Sequence, residues 1–344
     1  MNRSQVKSSQ LQWSESIGLQ SQLTIGLAIL FILTLKSGGY FRYIMGLVIA
    51  TVNMKGGVGK TTLTVNLAAC LAKLAGKRVL VVDLDTQISA TLSLVTPQDF
   101  AKIRREKKTI AYSIAKILKP SSRYKFETKD LITTDVCWVK GLDLLAGDID
   151  IYDEFLVSEK LHEETLENPN TDFIDVWNGF EGSLIKDILA PVIDDYDFII
   201  LDCAPGYNLL TRSGIMASHF YIMPARPEPL SLVGMQLLER RIAKLREAHD
   251  GDKNCLESSL LGVVFILSGS SLFARYYDRV MERVTQDFDV SKIFQTRIPM
   301  DVNVAKAIDS FQPVVIENPG SAGSKSFVKL SQELLIKVQQ LAGN

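Results

Sequence analysis

Cysteine is scarce and scattered: four in 344 residues, none in a C-x-x-C pair. Such spacing suggests neither a zinc site nor a disulfide framework, and it fits a reducing, cytosolic setting. A dominant charge is lacking too. Lys and Arg number 38 against 39 Asp and Glu, a net charge of −1. No global field draws this chain to nucleic acid, so any such binding has to use local patches. No repeat or low-complexity linker interrupts the chain. Apolar runs fall short of membrane length: Leu23–Leu35 spans 13 residues, where a crossing helix needs about 20. Extension through Phe41 would just reach, but Lys36 interrupts it. No small-residue cleavage site marks an export signal. Residues 1–44 therefore form an extension with three readings: a membrane anchor through residues 23–41, an interfacial segment, or a stretch outside the mature protein.

The remainder, residues 45–344, reads as one domain. Hydrophobic residues make up 47% of the chain, ample for one large α/β core. Apolar, β-branched runs predict strands at Leu47–Val52, Val79–Leu84, Leu142–Leu145, Phe198–Leu201, Phe220–Met223, Leu261–Leu267 and Ile293–Ile298. Helical patterns lie between most of them. That alternation predicts an α/β fold, a doubly wound, mostly parallel sheet with helices on both faces.

Between the first strand and the first helix stands Lys55-Gly56-Gly57-Val58-Gly59-Lys60-Thr61-Thr62. Glycines there let backbone N–H groups converge on phosphate oxygens, and the helix N-terminus adds favourable partial charge. Lys60 is the ordinary phosphate-loop lysine, aimed at the β- and γ-phosphates, and the Thr61 hydroxyl is placed to ligate Mg²⁺. The general pattern asks for Gly five residues before Gly59, where this chain has Met54. A variant pattern, Lys-Gly-Gly-x-Gly-Lys-Thr, fits completely and adds a second cation, Lys55, at the mouth of the loop.

Two apolar runs end in acids. Val79-Leu80-Val81-Val82-Asp83-Leu84-Asp85 carries two and Phe198-Ile199-Ile200-Leu201-Asp202 carries one. Ligands of parallel α/β sheets gather at the carboxyl ends of strands, so Asp83, Asp85 and Asp202 are aimed toward the loop. Asp202 reads as the acid that orders Mg²⁺ through water, beside the Thr61 hydroxyl.

At these residues the chain resembles the ParA/MinD family of deviant-Walker P-loop ATPases, and within it the ParA/Soj-type partition ATPases. Asp197 to Pro205 is similar to the family's Walker-B segment. Pro224-Ala225-Arg226-Pro227-Glu228-Pro229 resembles its base-contacting loop. Ile298-Pro299-Met300-Asp301 through Ala307, then Gln312-Pro313-Val314, resembles its C-terminal signature. Met45-Gly46-Leu47-Val48-Ile49-Ala50 resembles a normal family start, which favours the last reading of residues 1–44. The resemblance implies ATP and Mg²⁺ as cofactors. It implies a nucleotide site of Gly56, Gly57, Val58, Gly59, Lys60, Thr61, Thr62, Arg226, Pro227 and Glu228. Lys55 would cross a dimer interface to the partner's nucleotide, and Asp85 would position the attacking water, with Lys60 as the third catalytic residue and Asp83 nearer the metal, in a set with Thr61 and Asp202. Thr86 stands where such proteins commonly have Pro, which bears on loop shape. The stretch Thr96 to Asp195 is longer than in compact members.

The same resemblance implies a weak, partner-stimulated ATPase. It would be a homodimer on ATP, cytoplasmic and nucleoid-associated, holding nonspecific DNA and segregating or positioning a plasmid, chromosome or other large cargo with a ParB-like or cargo adaptor protein. A MinD-like membrane-associated positioning ATPase is the alternative, with the N-terminal apolar segment as anchor. A P-loop electron-transfer ATPase is a third, and would need cysteines such as Cys137 and Cys203 from each subunit at the dimer axis. A bacterial tyrosine kinase of this fold would want a tyrosine-rich tail, and no tyrosine follows Tyr277.

Candidate surfaces are uneven in charge. Arg275, Arg279 and Arg283 recur every four residues and so share one helical face, with Leu272, Tyr276 and Val280 as its anchors. Arg240, Arg241, Lys244 and Arg246 make a second patch. Either could neutralise phosphates, giving sequence-independent, salt-sensitive binding, or pair within its own helix. Asp143 to Asp197 holds 16 acids against Lys160 and Lys186: a partner face or a solvated helical surface. Lys102, Arg104, Arg105, Lys107 and Lys108 read as a solvated loop or helix end. The amphipathic C-terminus, from Phe327 to Val338, reads as a helix packed on the domain.

Overall fold

The computed structural model describes residues 46–119, 126–167, 170–251, 255–266 and 274–342. The apolar segment 23–41 lies outside the described residues. Six runs become strands: β1 Leu47–Thr51, β2 Val79–Leu84, β3 Leu142–Leu145, β4 Phe198–Cys203, β5 Phe220–Ala225 and β6 Ser259–Phe265. They form one sheet in the order β3-β2-β4-β1-β5-β6, and every pairing is parallel. A parallel sheet is covered on both faces, so its strands need apolar residues on both sides rather than alternation. All five residues of β1 are buried. Leu47 and Ile49 enter one core and Val48 and Ala50 the other. The first core is closed by the helices Lys60–Ala75 and Ala322–Ala342, the second by Phe173–Leu189, Leu209–Ala217 and Pro229–Ala248. This is the expected doubly wound α/β architecture.

The C-terminal helix packs as its pattern predicts. Phe327, Leu330 and Leu334 are all 1% exposed or less and lie in the same core as Leu63, Leu67 and Leu71 of the first helix. Its apolar stripe is therefore spent inside the domain.

The expected seventh strand, Ile293–Ile298, does not form. This segment meets the sheet at two isolated bridges, Val263 with Ile293 and Ile266 with Ile298. Between them the backbone N–H groups of Gln295 and Thr296 donate to the Glu333 carboxylate at 2.7 and 2.9 Å. Donors satisfied by a side chain are lost to a ladder. In contrast, β4 runs two residues beyond its expected end and carries Asp202 and Cys203 inside the strand.

Gly262 explains how that segment passes so close to β6. A Cβ there would lie 2.8 Å from Phe294 and 2.9 Å from the Lys292 carbonyl oxygen, whereas one at Gly179 would meet nothing within 4 Å. Overpacking of this kind costs about 1–3 kcal/mol. Gly262→Ala is expected to lower the urea midpoint accordingly, while Gly179→Ala, inside a helix, leaves it unchanged or raises it.

Candidate functional site: a phosphate loop over buried carboxylates

The carboxyl ends of β1, β2, β4 and β5 converge on one end of the sheet, and every residue of the predicted nucleotide site sits there. β1 leads into the loop and the loop into the helix Lys60–Ala75. Gly59 is the helix N-cap at φ 93°. That left-handed conformation suits glycine, and a Cβ would also press on Ile266 at 3.0 Å. With no capping side chain, the N–H groups of the first turn remain for a ligand. Gly56 and Gly57 are exposed, and Val58 is buried beneath them.

The two lysines diverge. Lys60 is 6% exposed, and its Nζ donates to the Lys55 carbonyl at 3.3 Å, closing the loop on itself. Burial holds the Lys60 pKa below its ordinary value, against the pull of Asp202. Lys55 points outward instead. Its Nζ pairs with Glu228 at 2.9 Å, with side chains 43% and 38% exposed. An ion pair so accessible to water is worth about 0–1 kcal/mol and is easily exchanged.

Under the loop lies a chain of buried hydroxyls and carboxylates. Thr61 Oγ1 donates to Asp202 Oδ2 at 2.7 Å. Thr64, one turn on, donates to Asp202 Oδ1 at 3.0 Å and sits 3.0 Å from the Thr51 hydroxyl. Asp202 is 1% exposed and stands beside Asp83 in the β2–β4 register. Asp83 is fully buried. Its carboxylate accepts the Thr91 N–H and hydroxyl, each at 2.8 Å, and the Asp85 N–H at 3.1 Å. Desolvation raises both carboxyl pKa values, and each is raised further by a neighbouring acid: Asp202 by Asp83, and Asp83 by Asp85. Asp85 is 7% exposed and accepts the Gln87 N–H at 3.0 Å.

On the far side, β5 delivers Arg226, Pro227 and Glu228. Arg226 and Glu228 are half-buried, Pro227 is buried, and the Glu228 N–H donates to the Arg226 carbonyl at 2.8 Å. Among the described residues the Arg226 Nε is buried without an acceptor. The donor set suits a nucleotide with Mg²⁺. A hard cation takes oxygen ligands, which Thr61 and Asp202 offer side by side, and the open first turn and Lys60 supply donors for phosphate.

Sequence reasoning missed the braces. Asn53 donates to the Pro224 carbonyl at 2.8 Å and accepts the Lys55 N–H at 2.9 Å, tying the loop to β5. Its signal was a polar residue directly after an apolar strand. Thr91 and Thr64 are likewise invisible as partners, although Thr64 follows Thr61 by three residues and so shares its helical face.

The basic stripes lie elsewhere. Arg279 and Arg283 are exposed on the helix Ala274–Asp287, while Met281 and Val284 are buried. The side chains of Arg275, Tyr276 and Val280, and all of Leu272, lie outside the described residues. In the second patch, Arg246 donates to the Ser258 carbonyl at 3.0 Å and Arg241 sits 6.0 Å over the Tyr207 ring. Glu239 accepts from the Tyr221 hydroxyl at 2.8 Å rather than pairing along its helix. The 102–108 run is a helix end: Arg104 pairs with Asp148 and Asp150, and Glu106 with Lys102 and Lys108. Cys203 is buried within β4, and the Cys137 thiol donates to the Leu94 carbonyl.

The hydroxyl chain makes a stability prediction. Thr64→Val keeps the shape but removes a donor from the buried Asp202 carboxylate. It is expected to cost about 1–3 kcal/mol in urea unfolding, with Thr64→Ser recovering most of it.

Comparison with known proteins agrees with this geometry. A sequence model of an AAA domain matches residues 46–255. The chain is 29% identical over 291 residues to the sporulation initiation inhibitor protein Soj of Bacillus subtilis (strain 168), covering 84% of this chain and 98% of that one. It is 28% identical over 302 residues to the chromosome-partitioning ATPase Soj of Treponema pallidum (strain Nichols), covering 85% and 98%. The fold matches the septum site-determining protein MinD of Pyrococcus horikoshii OT3, solved with Mg-ADP, at a TM-score of 0.57 and 23% identity, covering 86% of this chain and 97% of that one. With its phosphate loop and both carboxylate strands inside the matched domain, the chain belongs to the ParA/MinD family of P-loop ATPases.

Proposed function

We propose that this protein is an ATP-driven dimeric switch that holds nonspecific DNA and segregates or positions a large cargo. The observation that carries this reading is the divergence of the two lysines. Lys60 is buried in its own loop, while Lys55 stands on the rim in a weak pair with Glu228. A cation placed outward adds nothing to its own phosphate pocket, but it can reach a nucleotide held by a second copy facing it. Each site is then incomplete in a monomer, and hydrolysis waits for dimerisation.

ATP would lie on the first-turn N–H groups with Lys60 at its phosphates and Arg226, Pro227 and Glu228 around the base. Thr61 and Asp202 would hold Mg²⁺, which neutralises phosphate charge when bound. Asp85, at the rim of the buried carboxylates, would orient the attacking water. Asp83 supports it from behind, since its carboxylate is already engaged by Thr91 and by the Asp85 N–H. Catalysis then rests on positioning and charge stabilisation rather than on covalent chemistry. A cargo-borne ParB-like adaptor would stimulate hydrolysis and release the DNA.

The DNA reading is supported by the exposed Arg279 and Arg283 on one helix, and Arg275 would continue their stripe. A membrane role through the C-terminal helix gains less support, because that helix buries its apolar stripe in the core.

The central test is ATP-dependent retention of duplex DNA across a salt series, with dimerisation followed by light scattering. Lys60→Ala is expected to abolish ATP binding. Lys55→Ala is expected to bind ATP yet lose the dimer, DNA retention and roughly 10²-fold in turnover. Asp85→Ala is expected to accumulate ATP-bound dimers that stay on DNA. Retention indifferent to nucleotide would refute the switch. Arg279→Glu with Arg283→Glu is expected to leave ATP binding intact and to reduce the salt slope of duplex binding by about one for each phosphate no longer neutralised. An unchanged slope would move the DNA surface elsewhere.

A further inference from the structure

A cavity lies at the end of the sheet opposite the phosphate loop. Lys77 and Arg78 precede β2, and Trp138 and Lys140 precede β3. With Lys73 from the last turn of the first helix they line a cavity of about 710 Å³. Four cations line it and no Asp or Glu does. Asp197 approaches Lys77 and Arg78 from the start of β4 at 3.9 Å each. Asp197 thus faces Lys77 and Arg78, and Asp135 reaches the rim through the Gly141 N–H, so four cations line the cavity with these two carboxylates at its edge. A six-residue strand separates the two ends of the sheet by roughly 20 Å, so this cavity is independent of the ATP site.

Trp138 is the telling residue. It is 94% exposed, although indole is among the most apolar surfaces a chain can hide. Its exposure is built in. Asp135, Cys137, Trp138 and the neighbouring Phe311 account for four of the six left-handed non-glycine residues among those described. Such conformations persist where the surroundings impose them, and they cluster at functional sites. Here the surroundings are specific. Asp135 accepts the Gly141 N–H at 2.6 Å, its own N–H donates to Asp143 at 2.8 Å, and the Cys137 thiol donates to the Leu94 carbonyl at 3.2 Å. The loop backbone is pinned at three points, and the Trp138 side chain that it carries stands in solvent at the rim of a cavity lined by four cations.

We propose that this cavity binds single-stranded nucleic acid, with one base stacked on Trp138 and the adjoining phosphates held by Lys73, Lys77, Arg78 and Lys140. A flat aromatic surface bordered by cations fits a phosphorylated nucleobase, because every base has a face to stack and a phosphate to pair. Duplex bases are stacked on each other and offer no free face. An acidic peptide would satisfy the cations and leave the indole uncovered.

The test uses the full chain with Trp13→Phe and Trp177→Phe. Trp138 is then the sole reporter, since the protein has three tryptophans. Without ATP, a ten-residue oligothymidylate is expected to quench Trp138 emission by more than half. Its affinity should fall roughly 20-fold between 50 and 200 mM salt if three phosphates are neutralised, with a flatter response in Lys73→Glu with Lys140→Glu. Thymidine monophosphate matching the oligomer at equal concentration would support the same subsite with a free nucleotide as its source. Emission unmoved by either, or moved equally by polyglutamate, overturns the proposal. Lys73→Glu with Lys140→Glu should keep ATP-dependent duplex retention, so this site and the ATP switch fail separately.

Discussion

The Asp202 carboxylate, buried between two threonine hydroxyls and beside Asp83, is the interaction on which the site depends. A pair of neighbouring acids taken from water is unfavourable unless donors and cations compensate. The chain supplies them locally: Thr61 and Thr64 from the helix, Thr91 from the turn after β2, and the buried Lys60 above. A Mg²⁺ ion held here would add positive charge beside the two acids. The strands β1, β2 and β4, the first helix and the loop are thereby joined through one electrostatic centre.

Much of this was legible in the chain. Doubly buried strands read as unbroken apolar runs, so five of the seven predicted strands lie wholly within observed ones or overrun them by one residue. The acids at strand ends and the glycine-lysine loop are local patterns as well. The miss at Ile293–Ile298 has a plain cause. Whether a run of strand-like residues pairs with an edge depends on what else claims its N–H groups, and Glu333, far along the chain, claims two of them. No local pattern reports that.

Surfaces were the least legible part. Arginine spacing identifies a face but not its partners. In the 102–108 run Arg104 pairs with Asp148 and Asp150, and Lys102 and Lys108 pair with Glu106, while Arg279 and Arg283 stand exposed on their helix. Lys73, Lys77, Arg78 and Lys140 fall in two separate stretches and never formed a patch in the sequence. They meet because β2 and β3 are adjacent and start at the same level, Val79 beside Leu142.

By itself the sequence determined the fold class, the phosphate loop, the three carboxylates and the presence of a second lysine, because each is carried by residues close together in the chain. Tertiary structure alone decided which groups meet. It set Lys55 against Glu228, hung Asp202 from Thr61 and Thr64, tied the loop to β5 through Asn53, and gathered four cations around an exposed indole at the opposite end of the sheet. These pairings join residues far apart in sequence, and their distances follow from strand order and register rather than from any local preference.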